Sequence, residues 1–440
     1  LKLAFGFYLN RFETLYTPHT VLTGASYVDV NARIIAHSIL SGLSVIAGMA
    51  ILYALLKERP KIGVYAAAGL VSAYLLGIVL YPGLLQNFKV APSEQVLEEP
   101  FIKHHIALTK YGYNLENVKV VPFDVSFNLT SKDIRNNDTT IKNISLWNEA
   151  PLLKTYSQLQ QIRTYYRFSD IDSDRYTING EYRQVMLSAR ELSYNDLPSK
   201  SWINETFVFT HGNGIVMGPV SRVSKEGLPE LIIKDIPPSS SSNIKITTPE
   251  IYYGKLTSEY VIVNTKIPEF SYPTSEGNIY TTFKGKGGVR LDSIWRRALF
   301  SVYFKTAKII LSSEITSDSK ILYNRNVVQR VSTIAPFLLL DSDAYMVVSD
   351  SGKLYWMIDA YTVSTRLPYS KSLKNRVNYM RNSIKIIVDA YNGNVDFYIS
   401  DPDDVMIKVY NTIFPGVFKD IKEMPGDLKN HIRYPRDFFS

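Results

Sequence analysis

Two long apolar stretches separated by five residues constrain this chain more than any other feature. Residues 32–56 (ARIIAHSILSGLSVIAGMAILYALL) contain Arg33 and His37 as their only ionisable groups, and residues 62–85 (IGVYAAAGLVSAYLLGIVLYPGLL) contain no charged side chain. A helix of about 20 apolar residues crosses the hydrocarbon core of a bilayer, which is roughly 30 Å thick. Both stretches are rich in Gly, Ala and Ser, which let helix backbones approach closely in lipid. The sequence therefore predicts a transmembrane helical hairpin over residues 32–88, in preference to two helices buried in a soluble core.

The five residues between the stretches predict the orientation of this hairpin. Residues 57–61 (KERPK) carry three cations and one anion, and short loops rich in Lys and Arg stay in the cytoplasm. Residues 89–440 are then predicted to be extracytoplasmic. Residues 1–31 are expected to hold the extracytoplasmic end of a preceding membrane helix and a loop, because LKLAFGFYLNRF resembles the end of an apolar segment and the chain begins with Leu1.

Composition excludes several classes of chemistry. The 440 residues include no cysteine, which rules out disulfides, thiolate nucleophiles, Cys-ligated zinc and iron–sulfur clusters. The formal net charge is +8, with 49 Lys and Arg against 41 Asp and Glu. Half of this excess lies in the first 89 residues, so the remaining chain is close to neutral and nucleic-acid binding is not indicated.

The remaining chain predicts an α+β fold, because helical and strand patterns alternate irregularly. Residues 236–243 (IPPSSSSN) are interpreted either as a linker that splits two subdomains near residues 237–248 or as a long surface loop. Arg296, Arg297 and Lys305 interrupt an apolar run that would otherwise resemble a third membrane span. The predicted helices are 94–113 with a break at Pro100, 148–168, 292–304, 325–337 and 401–414, and the predicted strands and hairpins are 182–193, 258–266, 344–363 and 383–401.

An acidic cluster forms the most suggestive constellation. In DIDSDRYTINGE, carboxylates stand at positions 1, 3, 5 and 12, which is the spacing of oxygen ligands in a calcium loop. Arg175 occupies position 6, where that loop needs glycine, and a strand pattern follows. Two interpretations remain open, a divalent-cation site and a solvated acidic turn that pairs with neighbouring arginines. The candidate ligands are Asp170, Asp172, Asp174 and Glu181.

Two further candidates are weaker patterns. His211 in THGNG has a glycine after it that could leave the imidazole exposed as a base or metal ligand, although a histidine in a tight turn is the simpler interpretation. A glycine-rich, basic loop in FKGKGGVR could hold an anion or a lipid headgroup, or it could simply pack. This loop comprises Lys284, Gly285, Lys286, Gly287, Gly288 and Arg290. The chain contains no Gly-x-Ser-x-Gly, His-Glu-x-x-His or Walker motif.

Several long segments resemble uncharacterised protein family 0182. The clearest is residues 147–192, WNEAPLLKTYSQLQQIRTYYRFSDIDSDRYTINGEYRQVMLSAREL. YTPHTVLTGASYVDVNAR, THGNGIVMGPV, GKGGVRLDSIWRRALF, NYMRNSIKIIVDAYNG and HIRYPRDFF are also similar to family segments. The resemblance implies a multi-pass bacterial or archaeal membrane protein with a large outer domain and about seven membrane helices, of which two are whole here. It also implies that this chain is a fragment, and it supplies no activity.

Three hypotheses about function follow from these patterns. The first is a non-enzymatic protein of the cell envelope, anchored in the lipid bilayer, whose outer domain binds or scaffolds envelope proteins or wall and lipid components. It needs no cofactor, unless calcium binds the acidic cluster. The second is a metal-assisted envelope hydrolase that uses residues 170–181. The third is the accessory domain of a transporter.

Overall fold

The computed structural model describes residues 1–373 and 376–440. They form two compact units. The first unit comprises Leu1–Pro122 and Thr362–Arg381, and the second comprises Phe123–Tyr361 and Asn382–Ser440. Residues 89–122, which the sequence grouped with the following domain, belong to the first unit. The mixed α+β class is confirmed, because helices dominate the first unit and strands dominate the second.

The helices follow the apolar and amphipathic patterns of the sequence. Two stretches, Asp29–Leu56 and Pro60–Gly112, are long and apolar enough to cross a membrane by length and composition. The α-helices are α1 (Lys2–Glu13), α2 (Ile34–Leu56), α3 (Pro60–Tyr74), α4 (Tyr81–Leu85), α5 (Glu94–Gly112), α6 (Ser131–Asn136), α7 (Asp138–Lys142), α8 (Glu149–Gln160), α9 (Ile294–Tyr303), α10 (Lys308–Leu311), α11 (Val327–Ile334), α12 (Val405–Ile413), α13 (Gly426–Lys429) and α14 (Arg436–Phe439).

The second apolar helix is longer than the sequence predicted. We expected it to end near Pro82 and expected a break at Pro100, but the helical path continues through both prolines to Gly112. Short π-helical turns at Leu75–Leu80 and Gln86–Val90, together with a 3-10 turn at Ala91–Ser93, join its α-helical parts. Pro82 is the second residue of α4, which directly follows the first of these π-helical turns. A proline inside a helix, such as Pro100, bends the helix without having to end it.

Small residues allow α2 and the following helix to approach closely. A Cβ atom on Gly77 would lie 3.2 Å from the Cβ of Ala36, so a larger side chain there would force the helices apart. Most of the large apolar side chains of these helices remain exposed, among them Ile46, Leu55 and Leu76. The close packing agrees with the predicted helical hairpin.

The strands build two six-stranded sheets and three small ones. One large sheet has the order β1-β3-β5-β6-β7 with β2 paired to β3, and the other has the order β14-β16-β17-β18-β19 with β15 paired to β16. The strands are β1 (Tyr166–Phe168), β2 (Asp172–Ile178), β3 (Glu181–Leu192), β4 (Gly212–Asn213), β5 (Ile215–Pro219), β6 (Ile233–Lys234), β7 (Ser239–Ser240), β8 (Glu250–Ile251), β9 (Val261–Val263), β10 (Glu269–Thr274), β11 (Gly277–Thr281), β12 (Val289–Arg290), β13 (Lys320–Leu322), β14 (Leu339–Leu340), β15 (Tyr345–Val348), β16 (Leu354–Ser364), β17 (Tyr379–Asp389), β18 (Val395–Ile399) and β19 (Phe418–Asp420).

Most predicted elements of the second unit are present, with three differences. The predicted helix 148–168 ends at Gln160, because Tyr166–Phe168 pairs with β3 instead. The helix predicted from residue 401 begins only at Val405, where Asp404 caps α12 by accepting a hydrogen bond from the Met406 backbone N–H. The serine-rich segment at 236–243 supplies β7, which pairs with β6 inside the second unit. The main core brings together apolar side chains of both large sheets, including Val185, Leu187, Trp356 and Ile386.

Candidate functional site

The second unit contains an open cavity of about 730 Å³. Its wall is polar and carries charges of both signs. Arg175 and Lys245 are the basic residues, and Asp350 and Asp427 are the acidic ones. His431 and Tyr176 also line it, with their ring centroids 4.4 Å apart and their planes tilted by 41°. Arg175 and Tyr176 bring the acidic segment of the sequence to this cavity.

The acidic segment is a strand and not a loop. β2 and β3 form an antiparallel hairpin whose turn is Asn179-Gly180, both with positive φ (51° and 84°), as a tight two-residue turn requires. Alternate residues of a strand share a face, so Asp172 and Asp174 point the same way, and both are buried. The alternative of a solvated acidic turn therefore does not describe these two carboxylates.

The C-terminal segment supplies basic side chains next to these carboxylates. The His431 Nδ1 atom lies 2.8 Å from the Asp174 Oδ2 atom. An Arg433 Nη2 atom lies 3.5 Å from the Asp172 Oδ1 atom, and its Nη1 donates to the Ser173 carbonyl at 2.9 Å. The His431–Asp174 contact is not aligned as a hydrogen bond, so it is a close polar contact. His431 and Arg433 are thus two residues apart, as are Asp174 and Asp172, so each basic side chain lies next to one carboxylate.

Burial sets the protonation of two carboxyl groups, Asp172 on β2 and Glu191 on β3. It raises the pKa of Asp172 to about 7, although the cations of Lys255 and Arg433 oppose the shift. It also raises the pKa of Glu191 to about 7. The Glu191 carboxylate accepts a hydrogen bond from the Leu256 N–H at 2.9 Å. Near neutral pH these two groups are therefore poised between the charged and neutral forms.

The four predicted calcium ligands do not share one site. Asp170 pairs with Lys255, while Glu181 lies at the far end of the hairpin and pairs with Lys142 and Arg183. Six residues of strand separate Asp172 from the end of β2, a rise of about 20 Å. Within residues 1–373 and 376–440, no group of three or more His, Asp or Glu side chains could hold a metal ion.

His211 is buried and does not line the cavity. Its Nδ1 atom and the Glu269 Oε2 atom each lie 2.8 Å from Thr210 Oγ1. A carboxylate only accepts, so Thr210 donates to Glu269 and His211 Nδ1 carries the proton. Burial lowers the pKa of His211 to about 3. The expected exposure is absent because Gly212 packs tightly against strand β3, and a Cβ there would lie 2.4 Å from the Arg190 carbonyl oxygen.

The glycine-rich loop packs against the turn between β17 and β18. The Lys284 N–H donates to the Tyr391 hydroxyl and the Lys286 N–H donates to Asn392 Oδ1, both at 2.9 Å. A Cβ on Gly287 would lie 2.1 Å from the Asn392 carbonyl oxygen. Two amides that could have held an anion are thus occupied, while Lys284, Lys286 and Arg290 remain exposed. Gly285 and Gly288 complete the loop, and Lys320 donates to the Gly285 carbonyl.

Sequence reasoning missed the residues that complete the site, namely His431, Arg433, Lys255 and Glu191. The matching spacings of His-x-Arg and Asp-x-Asp could have indicated the first two, since both pairs have the period of a strand. Nothing in the local sequence points to Lys255 or Glu191.

The model of the Uncharacterised protein family (UPF0182) matches residues 1–440, which is the whole chain. The chain belongs to this family. A UPF0182 protein of Pelobacter propionicus is 60% identical over 432 residues, which are 98% of this chain and 48% of that protein. A UPF0182 protein of Geobacter sp. (strain M21) is 57% identical over 438 residues, 100% of this chain and 49% of that protein.

A more distant UPF0182 protein, from Desulforamulus reducens, is 46% identical over 440 residues, covering 99% of this chain and 47% of that protein. The chain thus spans about half the length of the curated relatives it matches. No solved structure matches it. The comparisons confirm the resemblance to UPF0182.

Proposed function

We propose that this UPF0182 chain is part of a multi-pass protein of the cell membrane whose second unit lies outside the cytoplasm and binds an envelope component. The observation that carries the proposal is the uncovered apolar surface of α2, α3 and α4. In water, a contiguous patch of this kind favours association or aggregation. In a bilayer it is the surface that lipid chains cover.

The cationic turn supports the orientation. Residues 57–59 separate α2 from α3, and residues 57–61 carry three of the seven cations in the first 89 residues. A turn of this kind stays on the cytoplasmic side. Both outer ends of the hairpin then lie on the other side.

The cavity supports binding as the role of the second unit. It presents guanidinium, ammonium, carboxylate and amide groups next to tyrosine rings. A few polar groups around a concave surface fix the orientation of a ligand. Because both charge signs are present, we propose that it takes a polar component of the wall, a lipid headgroup or a segment of another envelope protein.

Cysteine labelling tests the orientation. This chain has no cysteine, so only the introduced residue can react with the label. We expect Ser199→Cys, an exposed position in the second unit, to react with a membrane-impermeant maleimide in intact spheroplasts. Lys57→Cys in the turn should react only after permeabilisation. The opposite pattern would overturn the orientation, and labelling of both in intact spheroplasts would overturn the spanning hairpin.

One observation favours a second candidate, a hydrolase. A carboxylate hydrogen-bonded to the Nδ1 atom of a histidine orients the imidazole as a general base. At the cavity wall Asp174 Oδ2 lies 2.8 Å from His431 Nδ1, so a small rotation of either side chain would align them. The candidate is metal-free, because the described residues offer no metal ligand set. It requires hydrolysis of chromogenic ester or phosphoester probes that His431→Gln abolishes, and equal rates for both proteins would contradict it.

A further inference from the structure

Helix α9 is apolar on two opposite sides. Its inner side is held in a small core, where Phe300 is buried with Leu291 and Ile309. Its outer side carries Trp295, Leu299 and Val302, which are 81%, 67% and 77% exposed. Residues at i, i+4 and i+7 share one face of a helix, so these three side chains form a continuous outer face.

The outer face cannot be buried by a simple rotation of the helix. The Ser293 hydroxyl caps the first turn by accepting from the Arg296 N–H. Phe304, after the last turn, stacks on Tyr260 at a centroid distance of 4.2 Å. Phe300 and Phe304 thus hold the inner side by packing. A contiguous exposed apolar face of this kind marks a site of contact with another surface.

Cations surround this helix. Residues 292–311 contain four cations and a single carboxylate, Asp292, which pairs with Arg296 at 3.0 Å. Lys305 and Lys308 are exposed. Trp and Tyr with flanking Lys and Arg are typical of helices that lie in the headgroup region of a bilayer. The charge of the segment complements the negative charge of anionic lipid headgroups.

A second helix of the same unit provides a contrast. α12 also exposes apolar side chains on one face, namely Val405, Val409 and Ile413. The segment before it (DPDD, residues 401–404) contributes three carboxylates, and the helix itself carries a single cation, Lys408. An anionic membrane surface would attract the surroundings of α9 and repel those of α12.

We propose that α9 lies in the plane of an anionic lipid interface, with its outer face among the headgroups and the first part of the acyl chains. This proposal rests on the membrane location given under the proposed function, and it does not depend on which side of the membrane the second unit occupies. It assigns a lipid surface as the partner of α9.

Spin labels at two matched positions test the proposal. Leu299→Cys and Val409→Cys each place one nitroxide on an exposed apolar helix position of the cysteine-free chain. The chain is reconstituted in nanodiscs of phosphatidylethanolamine and phosphatidylglycerol. We expect the label at 299 to collide more with oxygen, which concentrates in lipid, and the label at 409 to collide more with an aqueous nickel chelate.

Two results would overturn the proposal. A label at 299 as accessible to nickel as the label at 409 would place α9 in water. A label at 299 shielded from both relaxants would show that protein covers the outer face.

Neutral lipid tests the role of charge. In nanodiscs of phosphatidylcholine alone, or with Lys305→Gln and Lys308→Gln together, we expect the preference of the label at 299 for oxygen to fall. An unchanged preference would overturn the role of anionic headgroups. Spin labels report lipid contact, whereas maleimide labelling at residues 57 and 199 reports sidedness, so the two proposals can fail separately.

Discussion

At the scale of single residues, the carboxyl groups of Asp172 on β2 and Glu191 on β3 make the stability of the second unit depend on pH, and the sign of that dependence can be derived. Burial raises the pKa of Asp172 and of Glu191 to about 7. A carboxyl group with a higher pKa in the folded state binds more protons when folded. The free energy of unfolding therefore falls as pH rises from about 4 to about 7, which is the reverse of the usual behaviour of a paired carboxylate.

Glu191→Gln should remove part of this dependence. The amide oxygen can still accept from the Leu256 N–H, and no buried charge has to form above pH 7. We expect the free energy of unfolding at pH 8 to rise by about 1–3 kcal/mol, measured by urea unfolding in detergent at several pH values. Glu181→Gln is the control, since Lys142 and Arg183 lower the pKa of that exposed carboxylate. A lower stability of Glu191→Gln at pH 8 would contradict the assignment.

Gly287 is a residue whose missing side chain permits a backbone contact. Gly287→Ala would place a methyl group on the Asn392 carbonyl oxygen, so the turn between β17 and β18 must move. We expect a loss of about 1–3 kcal/mol in unfolding free energy. Gly426→Ala is the matched control, because a Cβ there meets nothing within 4 Å. Equal melting temperatures for the two variants would show that the contact is not needed.

At the scale of elements, the C-terminal segment and β2 hold each other through charge. Arg433→Gln should destabilise the second unit above pH 7, where it leaves the buried Asp172 carboxylate with less compensating charge, and it should do so less when Asp172→Asn is also present. Contacting charges of this kind couple by about 0.5–3 kcal/mol. A double-mutant cycle by chemical unfolding at pH 8 measures the coupling. Additivity within about 0.3 kcal/mol would mean that the two side chains act independently.

Elements with local causes were predictable from the sequence. The hairpin predicted over residues 383–401 is present, and its turn contains Gly393, which has the positive φ that such a turn needs. The strand of Tyr166–Phe168 was not predictable, because it depends on pairing with residues 190–192 of β3. The pairing of Asp174 with His431 was missed for the same reason, since distant parts of the chain supply the two side chains.

At the scale of the whole molecule, the apolar helices give opposite expectations in water and in lipid. Ile46→Arg and Leu76→Arg replace exposed side chains, so in a water-soluble protein they would be harmless. In a bilayer each costs about 2.5–3.5 kcal/mol of insertion. We expect the double variant to leave the membrane pellet after alkaline carbonate washing, whereas Ser199→Arg should stay. Retention of the double variant would contradict the membrane assignment.

Docking of the C-terminal segment also affects biosynthesis. Arg433 follows its partner Asp172 by 261 residues, and translation at about 5–20 residues per second takes roughly 13 to 52 seconds to cover that interval. During this time Asp172 and Asp174 of the nascent chain lack Arg433 and His431, which contact them in the folded protein. A polypeptide that ends before residue 431 lacks these contacts permanently, so we expect its second unit to have a lower free energy of unfolding.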